Sequence, residues 1–208
     1  ALASKFLLEN VQISLAMIPR VQAELAAAKG KVTVCIDVSS SLPELIAVFP
    51  GYNEVLSGLA IDIGSTTLAV HMVDLMSGEI LASSGRANPQ IRFGEDLMSR
   101  VSYVMMHPEG AVELTQAVRD GLNGLIREVS DTGGIDPHDI VDVTVAGNPI
   151  MHHLFLGISP VELGTAPFAL ATASALNLTA SALDLETNKG AAVYVLPCIA
   201  GHVGADAA

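Results

Sequence analysis

Hydrophobic and polar positions change their spacing twice within residues 1–57, and each spacing predicts an element. IPRVQAELAAAKG has helical spacing, with Pro19 in its first turn and Gly30 where a helix would end. KVTVCIDV then alternates like a strand, SSSLP supplies turn residues, and ELIAVF predicts a second strand. We therefore expect a helix and a β-hairpin, which together form a small α+β domain over residues 1–57.

A different pattern follows from residue 58. LAIDI predicts a strand covered on both faces, LAVHMVDL and EILASSG predict two more strands, and only then does helical spacing begin. GEDLMSRVSYVMM and EGAVELTQAVRDGLNGLIREVS predict helices, and the apolar residues of the second one, from Val112 to Val129, fall broadly on one side. DIVDVTVAGN predicts a strand, NPIMHHLFLG a short helix capped by Asn148, and AAVYVLP a last strand. The β-β-β-α-α-β-α order indicates an α/β fold with a mixed sheet.

Composition excludes several classes of protein. Half of the 208 residues are hydrophobic, which excludes wholesale disorder. The 22 acidic residues outnumber the 10 basic ones, the net charge is −12, and only eight residues are Phe or Tyr. A chain with this charge and few aromatic residues is a poor match for nucleic acid, so we expect no nucleic-acid partner.

Cysteine content and hydropathy indicate in which cellular compartment the protein would lie. Cys35 and Cys198 are too few for a disulfide framework, which suits a cytoplasmic protein, and we expect both to pack as small apolar residues. Residues 163–183 carry no charge, but their Pro, Asn, Ser and Thr content argues against a membrane helix. Because the sequence begins ALASKFLLENVQ, without Met or a signal-peptide pattern, we interpret the chain as a fragment.

The first candidate site is the GSTT turn after LAIDI. Gly64 permits a tight turn, and Ser65, Thr66 and Thr67 add hydroxyls to its backbone amides, a donor set suited to phosphate oxygens. Asp62 lies among apolar neighbours, where an ionised carboxylate is costly unless a cation pairs with it, and it would suit Mg²⁺. The alternative, about equally good on this string alone, is that Asp62 caps its own turn and the hydroxyls belong to an ordinary hairpin.

The second candidate site is GHVGADAA at the carboxyl end. Gly201 and Gly204 flank a turn, and Asp206 falls in what would be the first turn of a helix, where amides attract phosphate and a carboxylate could bind metal-bound water or orient the attacking water. Taken alone, an Asp that merely complements the helix dipole is the better interpretation. The two motifs gain weight together because a phosphate clamp needs donors from two sides.

Other polar residues and the methionines are interpreted as structural. His152 and His153 are adjacent, so on a helix their side chains diverge, and we expect them to pack or cap rather than share a metal. Asp96 and Arg100 are spaced as an ordinary surface ion pair on a helix. Three methionines are expected to fill the core: Met105, Met106 and Met151.

The two loops and the three-strand opening resemble the phosphate loops and the ribonuclease-H-like fold of the superfamily of acetate and sugar kinases, Hsp70 and actin. Four blocks in order over residues 58–208 look more narrowly like the carboxy-terminal ATPase domain of the reductive activators of corrinoid proteins: GLAIDIGSTTLAVHMVDLMSGEIL, NPQIRFGEDLMSRVSY, VAGNPIMHHLFLGISPVELGTAPF and VYVLPCIAGHVGADAA. The resemblance implies that ATP hydrolysis drives one-electron reduction of cob(II)amide to cob(I)amide in a corrinoid methyltransferase partner.

The resemblance assigns roles residue by residue. Asp62, Gly64, Ser65, Thr66 and Thr67 match the first phosphate loop, with Asp62 also a magnesium ligand. Gly201, Gly204 and Asp206 match the second, with Asp206 as the catalytic and second metal-binding carboxylate. Related sugar kinases have Gly-Asp-Gln there, whereas Ala205 and Ala207 flank Asp206, so a role as a sugar-phosphorylating base is disfavoured while ATP hydrolysis stays open.

The resemblance also implies a domain organisation. Residues 1–57 would be the end of a middle domain, and residues 58–208 the first lobe of an actin-like ATPase with the start of the second lobe. The [2Fe-2S] centre would lie in an amino-terminal domain of the full-length protein. We expect the 208-residue piece to bind ATP weakly and to be inactive alone, and its apolar lobe interface would allow a homodimer.

Two other functions stay open at this point. A small-molecule kinase would use the same loops and would phosphorylate a sugar-type substrate. A non-enzymatic scaffold of the actin or Hsp70 kind would use the nucleotide only to change shape. Hydrolysis that rises with a corrinoid partner would separate the activator from both.

Overall fold

The computed structural model describes residues 10–204 other than 16, 40, 41 and 202. Within them the amino-terminal region forms helix α1 (Ile18–Ala27), followed by strands β1 (Val32–Asp37) and β2 (Glu44–Pro50). The two strands pair antiparallel as a separate two-stranded sheet. The predicted helix and hairpin are therefore confirmed. Helix α1 ends as the sequence indicates, because Gly30 adopts a φ of 80° that favours glycine.

A second, six-stranded sheet forms the centre of the remaining chain. Its strands, in chain order, are β3 (Ser57–Ile63), β4 (Thr67–Asp74), β5 (Ile80–Ala87), β6 (Ile140–Gly147), β7 (Leu176–Thr179) and β8 (Ala192–Val195). Their order across the sheet is β5-β4-β3-β6-β8-β7. Strands β3, β6 and β8 are parallel to one another, whereas β4, β5 and β7 each run antiparallel to their neighbours. The expectation of an α/β fold with a mixed sheet is confirmed.

Three helices bury one face of this sheet. They are α2 (Leu97–Met106), α3 (Gly110–Gly133) and α4 (Pro149–Leu156). The long helix α3 presents an apolar side to the sheet, and its residues from Leu114 to Val129 that point inward are fully buried in the same core as Leu59, Ile61 and Ile63. Val112 is an exception to the predicted face, because it is 62% exposed in the first turn of α3.

The opposite face of β3 is open, which corrects the prediction that this strand is covered on both faces. Leu59, Ile61 and Ile63 are buried under the helices, whereas Ala60 and Asp62 are exposed. Successive side chains of a strand point to opposite faces, so the apolar residues take one face and Asp62 the other. The interpretation of Asp62 as a carboxylate in a dry strand is wrong.

Residues 163–183 do not form a membrane helix, as predicted. They contain a loop, the short edge strand β7 and a 3₁₀ turn over Ala180–Leu183. The sequence interpretation missed β7. No helix in the described part of the chain is long and apolar enough to cross a membrane.

The small amino-terminal unit packs against the larger one. Cys35, Ala47 and Phe49 of the hairpin form a buried cluster with Val141 of β6. The approach is close, since a Cβ at Gly190 would lie 2.5 Å from the carbonyl oxygen of Ile46. Cys35 and Cys198 are both buried, which confirms their expected packing role.

Candidate functional site

The carboxyl ends of the three parallel strands meet at one edge of the large sheet. Ile63, the last residue of β3, is level with Gly147, the last residue of β6, and Val145 of β6 is level with Val195 at the end of β8. The GSTT turn leaves this edge from β3, and the segment that leads to Gly201 leaves it from β8. The topology therefore brings the two predicted loops to the same edge, where ligands of open α/β sheets commonly bind.

Residues 64–66 form the tip of the β3–β4 hairpin. Gly64 is required there, because a Cβ at this position would lie 2.6 Å from the carbonyl oxygen of Thr67. Ser65 is half-buried, and Thr66 and Thr67 are exposed. Both threonines therefore lie on the surface at the end of the hairpin.

The carbonyl groups of the tip are all bound from one side. The side-chain amide of Asn88 donates to the carbonyl of Gly64 at 2.8 Å. Arg100 donates through Nη2 to the carbonyl of Ser65, and the backbone N–H of Asn88 donates to that of Thr66 at 2.8 Å. Three consecutive peptide oxygens therefore point toward Asn88 and Arg100.

The orientation of these carbonyls fixes the direction of the amides. In a trans peptide the C=O and the following N–H point in opposite directions, so the N–H groups of Ser65, Thr66 and Thr67 point away from Asn88 and Arg100. The N–H groups of Ser65 and Thr66 have no acceptor among the described residues. Successive outward amides next to hydroxyls make a donor set that favours an anion such as phosphate.

The carboxylate of Asp62 lies on the open face of the sheet, one residue before Ile63 and the tip. Its neighbours across the sheet are Ala69 on β4 and Ala146 on β6, both small. A carboxylate on an open face next to outward amides can bind a divalent cation that an anion shares. Asp62 therefore lies beside the tip, as predicted, but it is exposed rather than buried.

Arg100 is the residue whose predicted environment differs most from the one in the structure. The predicted surface ion pair with Asp96 is wrong, because the Arg100 side chain is fully buried. Its Nε donates to the carbonyl of Gly94 at 3.0 Å and its Nη1 to Oε1 of Gln90 at 3.3 Å. Burial lowers the pKa of the guanidinium, although an arginine stays charged in any such environment.

Asp96 instead caps helix α2. Its Oδ1 accepts a hydrogen bond from the N–H of Ser99 at 2.7 Å, and the Ser99 hydroxyl accepts from the N–H of Asp96 at 3.1 Å. The bond from the Ser99 backbone is the main reason that the pKa of Asp96 lies below its usual range. This capping box fixes the first turn of α2 and hence the position of Arg100.

The second predicted loop is described only in part. Ala200 and Val203 pair across a tight turn, and a Cβ at Gly201 would lie 2.5 Å from the carbonyl oxygen of Phe168. Gly201 is thus required for a close backbone approach, and Gly204 is buried. Asp206 and the predicted helix that would contain it lie outside the described residues.

The two histidines of α4 are buried, as predicted for packing residues. His153 donates through Nδ1 to the carbonyl of Pro149 at 2.7 Å, and its Nε2 accepts from the N–H of Ala171 at 3.1 Å. Neither ring nitrogen of His152 has a partner among the described residues, and burial is the main cause that lowers its pKa to about 4. Both imidazoles are therefore neutral near pH 7.

The methionine prediction is confirmed at one position and wrong at two. Met151 is fully buried, and its sulfur lies 3.2 Å from Nη1 of Arg100. Met105 and Met106 are 62% and 71% exposed at the end of α2. No group of three or more His, Cys, Asp or Glu residues in the described part of the chain could hold a metal ion.

Asn88, Gln90 and Arg100 were missed by sequence reasoning as parts of the site. Asn88 carried a local signal, because an Asn before Pro89 is a typical cap, and its side chain does accept from the N–H of Gln90 at 2.9 Å. Arg100 carried no signal of burial, since a basic residue four positions after Asp96 is normally on the surface.

Comparisons with known proteins agree on one family. The family model described as the RACo middle region matches residues 57–208. A curated relative, the corrinoid activation enzyme RamQ of Eubacterium limosum, is 36% identical over 149 residues, which is 72% of this chain and 25% of the relative. A solved structure described as a reductive activator for corrinoid, iron-sulfur protein is similar with a TM-score of 0.82 and 34% identity, over 94% of this chain and 31% of that one. The chain thus spans about a quarter to a third of the length of these relatives.

Proposed function

The chain belongs to the family of reductive activators of corrinoid proteins, whose middle region it matches over residues 57–208, and from this premise we propose that it holds magnesium-bound ATP for the activation of a corrinoid protein. The relatives are named for corrinoid activation and for reductive activation of a corrinoid, iron-sulfur protein. We propose the same activity for the full-length protein that contains this chain.

The direction of the hairpin amides carries the proposal for ATP. The carbonyls of Gly64, Ser65 and Thr66 are bound on the inner side of the hairpin, so the amides point outward, beside two exposed threonines. Phosphate oxygens accept from such donors. Mg²⁺ in nucleotide sites is usually held by one or two carboxylates and the phosphates themselves, and Asp62 is a suitable carboxylate beside the tip.

Each residue has a distinct role in this proposal. The N–H groups of Ser65 and Thr66 and the hydroxyls of Thr66 and Thr67 bind phosphate oxygens. Asp62 binds the magnesium ion, which neutralises phosphate charge when it is present. Gly201 and Gly204 shape the turn of the second loop, and Asp206 orients the water that attacks the terminal phosphate or binds metal-bound water. The products are ADP and inorganic phosphate.

We also propose a finer fold and domain assignment. A mixed sheet in the order β5-β4-β3-β6-β8 supports a ribonuclease-H-like lobe of the actin-like ATPases. The family match begins at residue 57, which supports a domain boundary there. Because that model describes the middle region, we assign residues 57–208 to it, and residues 1–57, which the sequence resemblance made the end of a middle domain, to the domain before it. The [2Fe-2S] centre expected of the family is then assigned to another part of the full-length protein.

Coupling to the corrinoid protein follows from differential binding. If nucleotide closes two lobes on the phosphates, the closed form can hold a partner differently from the open form. The partner must then raise the affinity for MgATP by the same factor by which MgATP raises the affinity for the partner, because coupling between two sites is reciprocal. ATP hydrolysis would thus be sensitive to the corrinoid protein.

We therefore expect the full-length protein to hydrolyse ATP faster when its corrinoid protein is present. At MgATP concentrations well below the KM, a coupling of about 1–3 kcal/mol raises nucleotide occupancy, and with it the hydrolysis rate, by roughly 5- to 150-fold. Steady-state release of phosphate, measured against increasing corrinoid protein, checks the prediction, with a corrinoid-free apoprotein of the same partner as control. Turnover that stays constant over the whole titration, or ATP consumed only with a sugar, would argue against an activator.

A further inference from the structure

We propose that Arg100 is a positioning residue that holds the phosphate-binding hairpin in its binding conformation from inside the protein. The inference rests on the proposed function, since it assigns Arg100 a task in nucleotide binding. Arg100 itself touches no ligand in this account. It acts through the carbonyl of Ser65, to which its Nη2 donates.

Two segments supply the acceptors of the guanidinium: the nearby stretch from Gln90 to Gly94, and the hairpin tip, 35 residues before Arg100. Its Nε, Nη1 and Nη2 donate to Gly94, Gln90 and Ser65 respectively. Gln90 is itself fixed, because its Nε2 donates to the carbonyl of Leu114 at 2.8 Å, which leaves its Oε1 for Arg100. Every acceptor therefore has a defined place, and the guanidinium ties helix α2 and the segment after β5 to the hairpin tip.

The charge on Arg100 is only partly compensated. No carboxylate lies within salt-bridge distance of it in the described part of the chain, so Asp96 attracts it only from farther away, and its hydrogen-bond acceptors are neutral. A buried charge persists only where hydrogen bonds satisfy it, and here they do. The result is a positive charge directly behind a turn whose amides point outward, so the field at the tip favours an anion.

Arginine is required for this arrangement. Its planar group presents donors in a fixed fork, so one side chain can bind Ser65, Gln90 and Gly94 at once. A lysine keeps the charge but is a point donor without that geometry. A methionine keeps most of the apolar volume and loses both the charge and the donors. Comparing the two replacements thus separates the effect of the positive charge from the effect of the donor geometry.

The test is steady-state kinetics of the full-length protein with Arg100→Met and Arg100→Lys. Loss of a hydrogen bond from a charged group predicts a KM for MgATP about 10- to 100-fold higher in Arg100→Met, with a smaller rise in Arg100→Lys. At saturating MgATP the KM for the corrinoid protein should stay unchanged, because the nucleotide site is then filled in every variant. Arg127→Met is the matched control, since Arg127 forms an exposed ion pair with Glu186 on the same unit and should leave both KM values unchanged.

A purely structural role would give a different pattern. It would lower the midpoint of urea unfolding and the amount of active protein while leaving the KM for MgATP of the folded fraction at the wild-type value. That result, in either variant, overturns the inference but leaves the proposed function standing, because the wild type would still bind MgATP. If Arg100→Met does not fold, the KM for MgATP of Arg100→Lys still distinguishes a positioning role from a purely structural one. A wild type that binds no MgATP would overturn the proposed function and this inference with it.

Discussion

Asp62→Asn is expected to lower ATP turnover by the full-length protein on the order of 100-fold, the upper end of the loss that follows removal of even a hydrogen-bond partner of a metal ligand. The carboxylate lies on the open face of β3 beside the hairpin tip, where it can bind the magnesium ion that ATP carries. Asparagine has the same shape but no charge, so the strand and its pairing should be unaffected. Phosphate release at saturating and limiting Mg²⁺ checks the prediction.

Asp142→Asn is the matched control for this experiment. Asp142 lies on the neighbouring strand β6, level with Gly58, and therefore on the same face of the sheet as Asp62 but roughly 13 Å toward the other end of the strands. Burial and the nearby Asp37 raise its pKa, so its neutralisation removes repulsion rather than a metal ligand. Equal losses in both variants would mean that any carboxylate on this face matters and that Asp62 holds no particular ion.

Leu122→Ala should produce a large loss of stability. Leu122 is fully buried between α3 and the sheet. Truncation of a buried leucine to alanine costs about 2–5 kcal/mol in the free energy of unfolding, because the cavity closes only in part. Urea denaturation followed by circular dichroism measures it on this chain.

Val112→Ala on the same helix is the control for that loss. Val112 is 62% exposed, so its truncation should change the free energy of unfolding by about 0.5 kcal/mol or less. Similar losses in the two variants would contradict the packing described for α3.

Local patterns predicted most elements because each is fixed by its own sequence. The helix α4 illustrates this: Asn148 accepts from the N–H groups of Ile150 and Met151 at 3.1 Å, as an Asn-Pro start predicts. The short strand β7 was not predicted, because LNLT is brief and lies among small residues. Such an edge strand depends on pairing with β8 rather than on its own pattern.

The candidate site was predicted only on its ligand side. The Gly64–Thr67 turn has a local signal in glycine and hydroxyl residues, and the alternation of LAIDI already separates Asp62 from the apolar residues of its strand. The inner side has no local signal, because Arg100 finds its acceptors in Ser65, Gln90 and Gly94 only after folding. Burial of a charged residue depends on such distant contacts.

The proposed function depends on whether the outward amides at the hairpin tip bind the phosphates of ATP. Hydrogen exchange of the peptide that contains Ser65 and Thr66, followed by mass spectrometry on the full-length protein, tests this directly. We predict slower exchange of this peptide with MgATP than with Mg²⁺ and adenosine, because only the former offers phosphate oxygens to the amides. Exchange that is equally fast with MgATP and with adenosine, while MgATP is bound, would contradict the account.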